Sequence, residues 1–314
     1  MESKTPATLR DAITYFADPD NCVTYMVAKR WPNGVECPTC GSKKVAYDAK
    51  LRRWQCASHH PKRKFSLKTG TILEDSPLGL DKWLPVVWLV TNCKNGVSSW
   101  EIHRAMGVTQ KTAWFMLQRA RLALQGKNTG KLSGEVEADE SFIGGKARFM
   151  HANKRAEKIH GRGPDGKAIV AAVLERGGEV RAKVVKTRRK PELQKLVREN
   201  VEAGSNIYTD SLLSYDGLNE FTHQVVDHAV EYVNGKVHTN GMENFWSLLK
   251  RGLKGTYVSV EPFHLFRYVD EQAFRYNNRK DMNDAKRFNL AISQIVGKRL
   301  TYQELIGHSD DEPF

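Results

Sequence analysis

No long hydrophobic run occurs in this 314-residue chain. Its most apolar stretch, WLPVVWLV at 83–90, falls far short of the span a bilayer needs, roughly 20 residues. A membrane-spanning role is therefore not expected. Acidic residues are also in short supply: 36 Asp and Glu stand against 49 Lys and Arg, a net charge of +13. Such an excess points to a polyanionic partner, nucleic acid ahead of an anionic membrane surface. Cysteine is sparse, with five in the chain. The opening MESKTPATLRDAITYF lacks a charged-then-apolar leader. The expected compartment is reducing and cytoplasmic, where thiols serve as metal ligands or stay free instead of forming disulfides.

What is present begins with a cluster of three of those cysteines. Cys37 and Cys40 form CPTC, and Cys56 opens CASHH, with His59 at the same short spacing and His60 beside it. Two such pairs at this separation are the pattern of a zinc ribbon, each pair on a tight turn and the four donors forming a tetrahedron. We expect a structural Zn²⁺ held by Cys37, Cys40, Cys56 and His59, with His60 competing for the fourth position. Between the halves, VAYDAKLRRWQC reads as a short hairpin. Cys22 and Cys93 are isolated and read as small apolar residues.

Residues 80–92, LDKWLPVVWLVTN, read as a buried helix. SSWEIHRAMGVTQKTAWFMLQRARLAL then has the punctuation of a helix-turn-helix: Ser99 as a first cap, Gly107 as a stop and Thr109 as a second cap. Ile102, Met106, Val108, Ala113 and Met116 supply its internal contacts. The second helix is expected to present Gln110, Lys111, Gln118, Arg119 and Arg121 as a DNA-reading face. GKNTGKLSG at 126–134 reads as a linker.

From Glu135 the pattern becomes mixed α/β. EVEADES is a strand on which Glu135, Glu137 and Asp139 share one face, with Val136 and Ala138 on the other. KAIVAAVLERGGEVRAKVV reads as a hairpin turning at Arg-Gly-Gly, and the basic segment KARFMHANKRAEKIHGRGPDG before it as a loop. KPELQKLVRENV is helical, and SNIYTD is a strand that ends in Asp210. HTNGMENFWSLLKRGLKG, at 238–255, is an amphipathic helix. At 100° per residue, Ser247, Lys250 and Lys254 fall within about 40° of Glu243. Met242, Phe245, Trp246, Leu248, Leu249 and Leu253 fill the opposite arc, together with Gly241 and Gly252, as for a helix packed closely on a sheet. Three carboxylates, Asp139, Asp210 and Glu243, thus come from a strand, a strand and a helix. Brought together they repel unless divalent cations lie among them. Two Mg²⁺ (or Mn²⁺) in such a cluster can activate an attacking oxygen and stabilise a leaving one in phosphodiester displacement. Lys250, two turns after Glu243, is placed to hold a phosphate.

TD at 209–210, HTNGMENFWSLLKRGLKGTY at 238–257, FRYNNR at 274–279, the FS-x-x-TGT run and DES-x-IGG together resemble the DDE-type transposases of bacterial insertion sequences. The resembling subgroup carries an N-terminal zinc ribbon and a helix-turn-helix, and the resemblance runs from about residue 35 to about 280. It implies a multidomain α+β protein with an α/β RNase H-like core built on a mixed sheet. The implied domains are an N-terminal helix plus zinc ribbon (1–75), a helix-turn-helix domain (76–126), a linker (127–134), the catalytic domain (135–290) and a C-terminal tail (291–314). It further implies that Asp139, Asp210 and Glu243 bind Mg²⁺, that Lys250 follows as the basic residue, and that Asn240 could share the role of Glu243. The partners implied are double-stranded DNA, as terminal inverted repeats and target, and further copies of the chain in a homodimer or higher oligomer. Bound to DNA, the protein would sit in the bacterial nucleoid. Lys254, Arg275 and Arg279 are candidate phosphate contacts, Trp246 a candidate stacking residue, and Glu137 and Glu140 candidate auxiliary acids. His238 is a lesser candidate for a part in the chemistry.

Overall fold

A computed structural model describes residues 6–126, 130–145, 147–159, 161, 165–226 and 238–307. Two compact units emerge: one draws on the chain up to Gly126 and again from Lys280, the other runs from Lys127 to Arg279.

The first unit begins with α1 (Leu9–Phe16) and α2 (Pro19–Arg30). Thr8 and Asp11 cap α1 reciprocally, and Asp18 caps α2 ahead of a proline whose missing N–H costs nothing at the first helical position. An antiparallel three-stranded sheet follows: β1 (Val45–Asp48), β2 (Arg53–Cys56) and β3 (Lys64–Phe65). Its small core is aromatic, with Trp31, Trp54 and Phe65 in mutual contact. Next come α3 (Leu80–Asn92), α4 (Ser99–Met106) and α5 (Gln110–Leu124). Ser98, not Ser99, caps α4, because Glu101 three residues on completes a reciprocal box with it. Gly107 ends α4 at φ 62°, a left-handed conformation that an L side chain resists, and Thr109 caps α5. His103 turns its ring onto the Val108 carbonyl and braces the turn between the helices.

The second unit is built on a five-stranded mixed sheet: β4 (Glu135–Ile143), β5 (Ala168–Glu175), β6 (Val180–Val185), β7 (Asn206–Asp210) and β8 (Thr222–Val226), in the order β6-β5-β4-β7-β8. β4, β5 and β6 form an antiparallel meander, whereas β7 and β8 run parallel to β4. The β5–β6 hairpin turns at Arg176-Gly177-Gly178, with Gly177 at φ 78°. The basic segment expected as a loop contains a short helix, α6 (Ala152–Lys158). One sheet face buries Val136, Ala138, Ala171 and Val173 against α7 (Lys190–Asn200). The other buries Val170, Ala172 and Leu174 against α8 (Asn240–Arg251) and α9 (Leu265–Asn277). Alternate residues of the central strands therefore serve two cores.

The chain then returns to the first unit. α10 (Asp284–Ser293) packs on α3, and α11 (Tyr302–Leu305) lies near the end of the described chain. Phe288 joins Phe16, Tyr25 and Trp88 in one aromatic cluster. The boundary expected at 290 is thus corrected to 279/280, since the apolar side of α10 is needed to close the core of the first unit. Among the described residues, no helix is long and apolar enough to cross a membrane.

Candidate metal centre and acid site

The Cys/His pattern closes as a site. The donor atoms of Cys37, Cys40, Cys56 and His60 all lie within 4.8 Å of one another. Cys37 Sγ is 3.4 Å from His60 Nε2, and Cys40 Sγ is 3.6 Å from Cys56 Sγ. Three thiols and an imidazole at tetrahedral reach fit Zn²⁺. Burial works against the Cys56 thiolate, but hydrogen bonding from His60 and Ser58 outweighs it and brings the thiol down to about 6. The expectation of His59 is corrected: the turn after Cys56 leaves His59 exposed and directs the half-buried His60 into the cluster.

The acids gather on β4 and β7. The two strands pair in parallel, Glu135 with Asn206 through Glu137 with Tyr208. Asp139 and Asp210 each follow that last pair by two residues, which by strand alternation puts both on the α8 side of the sheet. Asp139 is held at both oxygens: Oδ1 accepts the Glu140 amide at 2.8 Å and Oδ2 accepts the Trp246 indole N–H at 2.8 Å. Asp210 Oδ1 accepts the Leu212 amide at 3.1 Å. Glu140 accepts the Tyr215 hydroxyl at 3.1 Å. Burial, then the charges of Asp210 and Asp139, push its carboxyl up to about 7. Repulsion of Glu140 by Asp210 and Asp139 is of the kind that a divalent cation would relieve.

Glu243 lies exposed in the first turn of α8, one turn before Trp246. Trp246 is buried, so it is a partner of Asp139 and not an open stacking platform. Among the described residues, the donors of Asp139, Asp210 and Glu243 do not close within 4.8 Å of one another as the Cys/His donors do. Lys250, two turns along α8, is held below the ordinary lysine range first by burial and then by Lys254, with Asp139 opposing. Lys254 itself is exposed. Asn240 is exposed at the first position of α8.

Several expected DNA contacts are corrected. Gln118, Arg119 and Arg121 are buried, because the C-terminal half of α5 faces the core of its unit. The Arg119 guanidinium donates to the carbonyls of Glu74 and Leu300. Gln110, half-buried, donates to Ser99, and Lys111 is exposed over the Tyr302 ring. Arg275 is buried against Glu271, whose position four residues earlier on the helix was a readable sign of pairing. Arg279 is exposed and stacks on the Tyr276 ring. FRYNNR is largely architectural: Asn277 bonds both the N–H and the C=O of Val180, and the Tyr276 hydroxyl reaches the Gly241 carbonyl.

Glu137 was expected as an auxiliary acid, and its setting is specific. Its carboxylate is buried, receives Arg176 Nε at 2.9 Å and the Met242 amide at 2.9 Å, and lies 3.5 Å from His238. Sequence reading missed Arg176, the first residue of a hairpin turn, and Tyr215. No local pattern marks either one.

Comparison with known proteins agrees with this division. Residues 17–59 match the transposase zinc-ribbon domain, and residues 131–277 match the ISXO2-like transposase domain. An uncharacterized protein of the transposable element ISH50 from Halobacterium salinarum is 32% identical over 238 residues, covering 71% of this chain and 79% of that relative. An uncharacterized transposase-like protein of Haemophilus influenzae is 34% identical over 85 residues, 26% of this chain and 68% of its own length. A Cys/His cluster in the matched ribbon segment, acids on the central strands of the matched second domain and a relative from a transposable element lead to one conclusion: the chain belongs to the insertion-sequence transposases that join a zinc ribbon to an ISXO2-like transposase domain.

Proposed function

We propose that this transposase binds the terminal inverted repeats of its element, cuts the DNA there in a Mg²⁺-dependent reaction and joins the freed end to a target. The observation that carries this reading is Asp139 and Asp210 on adjacent parallel strands, both close enough to Glu140 to push its carboxyl up, with the helix bearing Glu243 and Lys250 packed over Asp139. The strand order, an antiparallel meander extended by two parallel strands and covered by helices on both faces, supports an RNase H-like reading of the core. Capped helices about Gly107 support a helix-turn-helix reading of α4 and α5, with the exposed Lys111 and the neighbouring Gln110 at the DNA-facing end.

Asp139, Asp210 and Glu243 would hold the Mg²⁺, which when bound supplies charge neutralisation at the attacking and leaving oxygens. Trp246 fixes the Asp139 carboxylate, so one rotamer is presented. Lys250 and Lys254 offer cations to a phosphodiester on the open side of α8. The zinc ribbon and the α4–α5 pair would hold the element end, and joining would need two such ends in a homodimer or larger assembly. Purified protein, paired labelled element ends and a supercoiled target in Mg²⁺ test the reading. Covalently joined products are the expected result; hydrolysis without joining would make the protein a nuclease instead.

A further inference from the structure

α8, the helix that carries Glu243, has no cap of its own. Thr239 precedes it without a side-chain hydrogen bond to the first turn. An uncapped first turn leaves amide donors to be satisfied elsewhere. The Met242 amide, at the third helical position, donates instead to Glu137 Oε2 at 2.9 Å, across 105 residues of sequence. Glu137 lies on β4, two residues before Asp139 and on the same face.

Its other oxygen is equally engaged. Arg176, from the β5–β6 turn, donates Nε to Glu137 Oε1 at 2.9 Å and Nη2 to the His238 carbonyl at 2.6 Å, just ahead of α8. The guanidinium is stacked 4.1 Å from the centre of the Tyr208 ring, two residues before Asp210. The fit leaves no slack: a Cβ on Gly241 would lie 2.8 Å from Glu137 Oε2 and 2.9 Å from Leu174 Cδ2. A negative charge at a helix N-terminus is also favoured by the helix dipole.

We infer that Glu137, clamped by Arg176, is a positioning residue that caps the helix of the third acid from the strand of the first and so sets the spacing of Asp139 and Glu243. This inference rests on the functional reading above for its consequence, but not for its geometry. Glu137 faces inward to the helix cap and the guanidinium, so it acts through α8 and not on the DNA.

Two readouts test it on the full chain. Hydrogen exchange of Glu137→Gln, Glu137→Ala and Arg176→Lys is expected to show faster exchange confined to the first turn of α8. The Mg²⁺ concentration for half-maximal end cleavage should rise roughly ten- to hundredfold, as for losses of groups supporting a metal site. Element-end binding should stay unchanged, and high Mg²⁺ or Mn²⁺ should restore part of the cutting. Glu137→Gln, which keeps a carbonyl acceptor, should be milder than Glu137→Ala; if the alanine variant does not fold, the glutamine and lysine variants decide. Unaltered exchange in the first turn of α8 would overturn the capping, and an unaltered Mg²⁺ requirement would overturn the positioning role. Should the wild type not cut at all, the functional reading fails, and exchange alone still decides whether Glu137 caps α8.

Discussion

Single residues in the second unit carry roles that their chemistry makes testable. The Trp246 indole donates to Asp139, so Trp246→Phe keeps the ring in the core and removes only the hydrogen bond. We expect end cleavage to fall by roughly ten- to hundredfold with little change in thermal stability, measured by single-turnover cutting beside a melting curve. Gly241 is the opposite case, a residue whose value is its missing side chain. Gly241→Ala would drive a methyl group into Glu137 and Leu174. The overpacking should cost about 1–3 kcal/mol in denaturant unfolding of the second unit. In the first unit, Arg119 and Lys111 share a helix but not a role. Arg119→Ala would strip the Glu74 and Leu300 carbonyls of a donor and should destabilise by about 1–3 kcal/mol. Lys111→Ala should leave unfolding unchanged and weaken element-end binding, read by fluorescence anisotropy.

At the scale of elements, the strands and helices that carry acids were legible because their signals are local. Alternation along EVEADES and the polar stripe centred on Glu243 follow from the periods of strand and helix alone. The ribbon was legible for the same reason, since turn chemistry and ligand spacing lie within one short segment. What escaped depended on distant chain. Arg119 was assigned to a DNA-reading face of α5 but meets Leu300, a partner far along the chain that no helical pattern discloses. The choice between His59 and His60 was made by the turn after Cys56, below the resolution of a spacing rule. Glu137 shared a strand face with Asp139 on paper, but its cap on α8 spans two elements far apart in sequence. For the ribbon itself, the thiol and imidazole donors should make folding depend on metal. Chelation, or Cys56→Ser, should release the zinc and unfold β1–β3, seen as lost tryptophan emission from Trp31 and Trp54. An unchanged spectrum after complete zinc removal would contradict a structural role for the cluster.

The whole molecule combines a basic chain, net charge +13, with an acid-lined site on the central strands of its second unit. Under the proposed function the two properties are complementary: the excess positive charge would collect a polyanion, and the carboxylates would concentrate the cations that its cleavage requires. Element-end binding should therefore weaken steeply with salt, by roughly 10³-fold or more between 50 and 200 mM if six or more phosphates are contacted. The most direct test is the cutting of a labelled element end in Mg²⁺ by the wild type, Asp210→Ala and Glu243→Ala, with binding of the same DNA measured in parallel. Cutting by the wild type alone, with all three proteins binding equally, is the expected result. Cutting that survives either substitution would contradict the assignment of Asp139, Asp210 and Glu243 as one active site.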